Sequence, residues 1–172
     1  MTEKETLAAA LWEAGVLVPG EGEAPLLWNG EAALENESLR EALLDSLEAL
    51  ARAHYGAAEA LLGGPWAALL AERLGLPLAP DPLPEKLLLV TDAVSDGEDL
   101  HALAAPLRAA GKGIAAAALF NFGLPAARAL LDRADVRLHW LTDLETAAAV
   151  ALQSGRLDLD AYERLTAYLE NV

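Results

Sequence analysis

The chain has 172 residues, a formal charge of −15 from 12 basic and 27 acidic side chains, no cysteine, and 38 Ala and 37 Leu within a composition that is 54% hydrophobic. That length supports one domain with a sizeable core, and the apolar content excludes an acidic disordered chain. The missing cysteine excludes disulfides, thiolate metal sites and a cysteine nucleophile, while the scarcity of cations weighs against nucleic-acid and anionic-membrane binding.

The N-terminal segment MTEKETLAAALWEAG has no basic leader region, and no apolar run approaches about 18 residues, so a soluble cytoplasmic protein is expected. Thr2 and Glu5 stand at capping-box spacing, and Leu7, Leu11 and Ala14 recur at helical intervals. They predict a first helix over about 3–14, ended by Gly15. Pro19, Gly20, Gly22, Pro25 and Gly30 punctuate 16–35, which reads as irregular or short-stranded. A long helix is expected over about 36–54, with Ser38 and Glu41 as a second capping box and Leu39, Leu43, Leu47, Leu50 and Ala51 on one face. The apolar run 57–62 reads as a buried strand, and Gly63, Gly64 and Pro65 turn into a helix ending near Gly75.

Pro80, Pro82 and Pro84 exclude helix or central strand over 80–84. The segment 86–90 (KLLLV) reads as a buried strand, followed by the loop TDAVSDGEDL and a helix to about Ala110. Further strands are expected at 114–120 and 136–141, with helices at about 124–133, from a Thr142–Glu145 cap to Ser154, and from Asp158 to Leu169. This alternation predicts a parallel sheet covered on both faces. In such a sheet a ligand lies beyond the carboxyl ends of the strands, where a turn into a helix offers free N–H groups. The candidate here is 87–100, with Gly97 in the turn.

At these residues the chain resembles the type I phosphoribosyltransferases, specifically the orotate phosphoribosyltransferase family. That family's signature is a hydrophobic strand, two adjacent acidic residues and a small-residue loop that cradles the 5-phosphate of phosphoribosyl pyrophosphate. Residues 62–77 (LGGPWAALLAERLGLP), the APLLWNG segment and the ending SGRLDLDAYERLTAYLEN resemble other parts of the family in the same order. The resemblance implies a single domain over 1–172: an α/β type I phosphoribosyltransferase-like fold whose central, mostly parallel sheet is flanked by helices (36–172), with a small N-terminal helical hood (about 1–35). It also implies a homodimer.

The departures concentrate at the site. The acidic pair is Thr91-Asp92, leaving one carboxylate. Ser95 and Gly97 fit the phosphate loop, but Asp96, Glu98 and Asp99 bring three carboxylates into it. A phosphate of about −2 placed ~6 Å from one carboxylate is repelled by roughly 5 kcal/mol at an effective dielectric near 20. The loop before Gly63 is apolar with one carboxylate (Glu59), and the interval that holds the family's basic catalytic loop shrinks to 80–85, with Lys86 its sole nearby cation. A hood lysine of the family corresponds to Trp28.

These residues lead to an expectation of a related protein that has lost phosphoribosyl transfer and has no catalytic residue. A vestigial site of Asp92, Ser95, Asp96, Gly97, Glu98 and Asp99, walled by Trp28 and Gly63, would then take a small molecule. Three other readings stand beside it. In the first, the carboxylates at 96–99 only cap a helix; in the second, Asp92 and Asp96, with Glu98 and Asp99, hold Mg²⁺ or another divalent ion; in the third, the protein is an active orotate transferase using phosphoribosyl pyrophosphate and Mg²⁺. An acidic dimeric interaction module is a further alternative. His54, His101 and His139 are scattered, and no serine lies in a hydrolase elbow.

Overall fold

A computed structural model describes residues 1–21 and 24–171. Helix α1 (Glu3–Glu13) opens on the expected capping box: Glu5 N–H donates to Thr2 Oγ1, and Thr2 N–H donates to the Glu5 carboxylate. Its buried Trp12 donates to the Ala147 carbonyl at 2.9 Å, fastening the helix to the far end of the chain. Strands β1 (Leu17–Pro19) and β2 (Leu26–Trp28) form an antiparallel ribbon; of the punctuation expected in this stretch, Gly22 lies outside the described residues. The short helix α2 (Gly30–Glu35) follows, where the sequence has no helical periodicity; Asn29 caps it.

Helix α3 (Glu37–His54) starts from Asn36, whose side chain accepts from Leu39 N–H at 3.0 Å. The expected Ser38–Glu41 box is therefore displaced by two residues. Glu41 cannot serve as its return acceptor, because its carboxylate pairs with Arg73 at 2.5 Å. Strand β3 (Ala60–Gly63) is shorter than the apolar run 57–62 suggests, because Ala58 N–H closes a turn onto Tyr55 O. Helix α4 (Pro65–Leu74) ends at Gly75, which adopts φ 66°. Leu78 then makes a single parallel bridge to Leu61.

Strand β4 (Lys86–Val94) runs four residues past the predicted end, since Thr91, Ala93 and Val94 still pair with the next strand. Helix α5 (Glu98–Ala109) leads to β5 (Gly113–Asn121), α6 (Pro125–Arg133), β6 (Arg137–Asp143), α7 (Leu144–Gln153) and α8 (Leu159–Asn171). Asp143, not Thr142, caps α7: its Oδ1 accepts from Thr146 N–H, while the fully buried Thr142 hydroxyl donates to the Lys4 carbonyl.

The four main strands pair in the order β3-β4-β5-β6, all parallel. Each step from strand to strand passes through a helix, α4, α5 and α6 in turn, and α1 and α3 also pack on the sheet, so helices flank it as the sequence predicts. Residues Ala116 to Phe120 of β5 have no solvent exposure, which explains a continuous apolar run instead of alternation. One core runs from Leu7, Val16 and Leu26 of the hood through the sheet to Leu165 of α8.

Candidate functional site at the carboxyl end of the sheet

Strand β4 ends at Val94 and the chain turns at 95–97 into α5. Ser95 and Asp96 are exposed, Gly97 is buried with φ 80°, and Glu98 and Asp99 are exposed in the first helical turn. Asp96 Oδ1 accepts from Glu98 N–H at 3.0 Å, so one carboxylate already occupies an N–H of the turn. Glu98 and Asp99 lie beside the positive end of the α5 dipole, which favours them and disfavours a competing phosphate only through their charge. Among the described residues, none of the three enters an ion pair. Lys86 stands at the opposite end of β4, eight steps from Val94, or roughly 26 Å at strand rise. It cannot reach the turn.

Asp92 faces a different neighbour. Trp28 Nε1–H donates to Asp92 Oδ2 at 3.0 Å, and Asp92 Oδ1 accepts from Ala93 N–H at 2.8 Å. The Trp28 ring stacks on Phe120, with centroids 5.4 Å apart and planes 23° apart. Trp28 therefore bridges the hood and the end of the sheet. A Cβ at Gly30 would stand 2.6 Å from Asp92 Oδ2, so glycine is what lets the carboxylate lie there.

Beside this bridge is a cavity of about 460 Å³, lined by Trp28, Gly30, Glu31, Leu34, Gly64, Pro65, Trp66, Val90, Thr91 and Asp92. Gly63, expected as a wall, is instead paired with Val90 in the sheet, and Gly64 lines the cavity in its place. The turn at 95–99 is not part of this lining. Trp66 borders the cavity, and its buried Nε1 has no partner among the described residues. A buried unpaired donor costs about 1–3 kcal/mol until an acceptor reaches it. Neither Trp66 nor Glu31 was singled out from sequence: the first reads as a core residue of an amphipathic helix, and the second sits in a helix without periodicity.

Among the described residues no three His, Asp or Glu side chains gather into a group able to hold a metal; Asp92 is held by Trp28 and Asp96 by the backbone of the turn. A second, larger cavity of about 510 Å³ lies beyond β5 and β6, between Val94, Phe122, Arg128, Trp140 and Leu169. Of its three carboxylates, Asp132, Asp143 and Glu145, Asp143 is committed to Lys4, Trp140 and Thr146. Among the described residues no helix is long and apolar enough to cross a membrane.

A parallel sheet under a small hood, with its cavity beside the last residues of the second strand, defines the type I phosphoribosyltransferase fold. No family model matches the chain. An orotate phosphoribosyltransferase of Bacillus subtilis is 25% identical, the match covering 93% of this chain and 82% of that one. The crystal structure of orotate phosphoribosyltransferase from Aeropyrum pernix superposes with a TM-score of 0.75 at 25% identity, over 87% of this chain and 99% of that one. Leishmania donovani UMP synthase shares the fold at a TM-score of 0.83 and 16% identity, over 99% of this chain and 43% of that one. The chain is thus similar in sequence to orotate phosphoribosyltransferases and shares the type I phosphoribosyltransferase fold.

Proposed function

We propose that this protein has lost phosphoribosyl transfer and serves, as a cytoplasmic homodimer, as a binding or regulatory protein whose ligand lies under Trp28. The observation that carries the reading is the charge of the cavity. Its lining holds the carboxylates Glu31 and Asp92 and two indole rings, with no Lys, Arg or His. Departure of pyrophosphate develops negative charge that needs cations or a metal placed to meet it. The three carboxylates at 96–99 add repulsion where the 5-phosphate of such a substrate would be cradled. The same lining suits a flat neutral or cationic molecule: Trp28 and Trp66 offer apolar and cation–π contact, Trp66 Nε1–H awaits an acceptor, and Glu31 offers a counter-charge.

Calorimetry with phosphoribosyl pyrophosphate and Mg²⁺ is expected to show no micromolar binding. A thermal-shift panel is expected to give upward shifts with nucleobases or aromatic amines, lost in Trp28→Ala. Micromolar binding of phosphoribosyl pyrophosphate, or any turnover of orotate, would overturn this reading.

A further inference from the structure

We propose that the opposite, amino-terminal edge of the sheet carries an anion site for a small dianion, a phosphate monoester or a dicarboxylate. Parallel pairing brings the starts of β4, β5 and β6 to one edge, at Lys86, Gly113 and Arg137. A cavity of about 410 Å³ opens there, walled by His54, Tyr55, Lys86, Arg108, Asp135 and Arg137 among others. In a chain with only 12 Lys and Arg against 27 Asp and Glu, three cations and one carboxylate line a single cavity.

The carboxylates around it are already engaged. Asp135 pairs with Arg108 at 3.3 Å, Glu85 with Lys112 at 3.2 Å, and Glu59 accepts from the Lys86 backbone N–H at 3.0 Å. Among the described residues neither the Lys86 ammonium nor the Arg137 guanidinium is in an ion pair. Arg108 spends its terminal nitrogens on the carbonyls of Lys112, Ile114 and Asp135, and its buried Nε has no partner among the described residues. The cavity thus holds two free cations, matching a dianion in charge, and an unused donor in its wall.

The aromatic side of the cavity is fixed in place. His54 stacks on His139 with centroids 4.1 Å apart, although the two are distant in sequence. The Tyr55 hydroxyl has one proton, which it donates to the Ala116 carbonyl at 2.6 Å. It therefore accepts from His139 Nδ1–H, also at 2.6 Å, which sets the His139 tautomer. The proposal concerns residues that take no part in the Trp28 cavity, so the two stand or fall separately.

The test is a titration of the isotope-labelled protein at low salt, followed by amide chemical shifts, with inorganic phosphate, ribose 5-phosphate and succinate in separate arms. Saturating shifts are expected at the amides of Lys86, Gly113 and Arg137. Affinity is expected to fall about tenfold or more in Lys86→Ala/Arg137→Ala, and to stay unchanged in the exposed control Arg164→Ala. The preferred arm distinguishes a phosphate from a dicarboxylate source. Both substituted side chains are exposed, and each single variant read alone carries the same expectation if the double variant melts early. Absent shifts, shifts confined to 95–97, or equal loss in Arg164→Ala would overturn the site.

Discussion

Asp143 closes β6 and starts α7 with one carboxylate. Oδ2 accepts from Lys4 Nζ at 2.9 Å and from Trp140 Nε1–H at 3.0 Å, while Oδ1 accepts from the Thr146 backbone and hydroxyl. Burial pushes its pKa up, but the hydrogen bonds from Lys4, Thr146 and Trp140 outweigh burial and hold it at about 2, against an ordinary 3.8. A depressed folded pKa contributes stability that is present above the unfolded pKa and is lost as pH falls through the folded one, here between about pH 4 and pH 2. Because the Lys4 partner is half exposed, screening leaves a contribution of about 1–2 kcal/mol. Asp143→Asn is expected to lower unfolding stability by that amount at pH 7 and to flatten its decline below pH 4 in denaturant titrations; an unchanged acid limb would refute the linkage. The sequence shows an Asp at a helix start but not its four donors, because Lys4 comes from the other end of the chain. Trp28 and Asp92 stand out individually in the sequence, yet their bond depends on how the hood folds over the sheet. The His54–His139 stack is hidden for the same reason: only the packing of α3 against β5 and β6 brings it about.

Gly97 fixes how α5 leaves the sheet. It adopts φ 80°, and a Cβ there would lie 3.2 Å from both Cα and Cβ of Ala127 in α6. Left-handed backbone costs a residue with a Cβ about 1–2 kcal/mol, and the contact with α6 adds to it. Gly97→Ala is therefore expected to destabilise by about 1–3 kcal/mol in denaturant titrations, whereas Gly111→Ala, with open space around its Cβ, is expected to lose only the backbone part. Equal losses in the two variants would show that the packing of α5 on α6 contributes nothing. At this scale most of the fold was legible. The apolar periodicity of α1 and α3, the Gly15 and Gly75 stops, and the continuous runs of β4 and β5 all follow from local physics. What failed was local chemistry overridden by distant partners. Glu41 serves Arg73 instead of a capping box, Thr142 serves Lys4, and the polar-looking Thr91 and Asp92 remain in β4 because β5 continues alongside. Helix α2 has too few residues to show a period.

For the whole molecule, the charge of −15 and the exposed apolar side chains pull in opposite directions, and the proposed homodimer must reconcile them. Val18 and Leu27 are direct cross-strand partners in the hood ribbon, and both are exposed, at 38% and 51%. Leu78, beside the outer edge of β3, is exposed at 42%. We place the proposed dimer contact on this exposed pair of the ribbon, since burying each such side chain is worth about 1.5–3 kcal/mol. Two copies of an acidic chain repel each other, and that repulsion weakens once the Debye length falls to about 8 Å near 0.15 M salt, from about 30 Å at 0.01 M. Salt should therefore strengthen the dimer, the reverse of an interface held by ion pairs. Light scattering is expected to give twice the 18.1 kDa chain mass at physiological salt and a shift toward monomer at low salt. Leu27→Glu, which adds a charge at the centre of the ribbon, is expected to stay monomeric in both. A monomer at every salt concentration would remove the homodimer, and a dimer that survives Leu27→Glu would move the interface away from the hood.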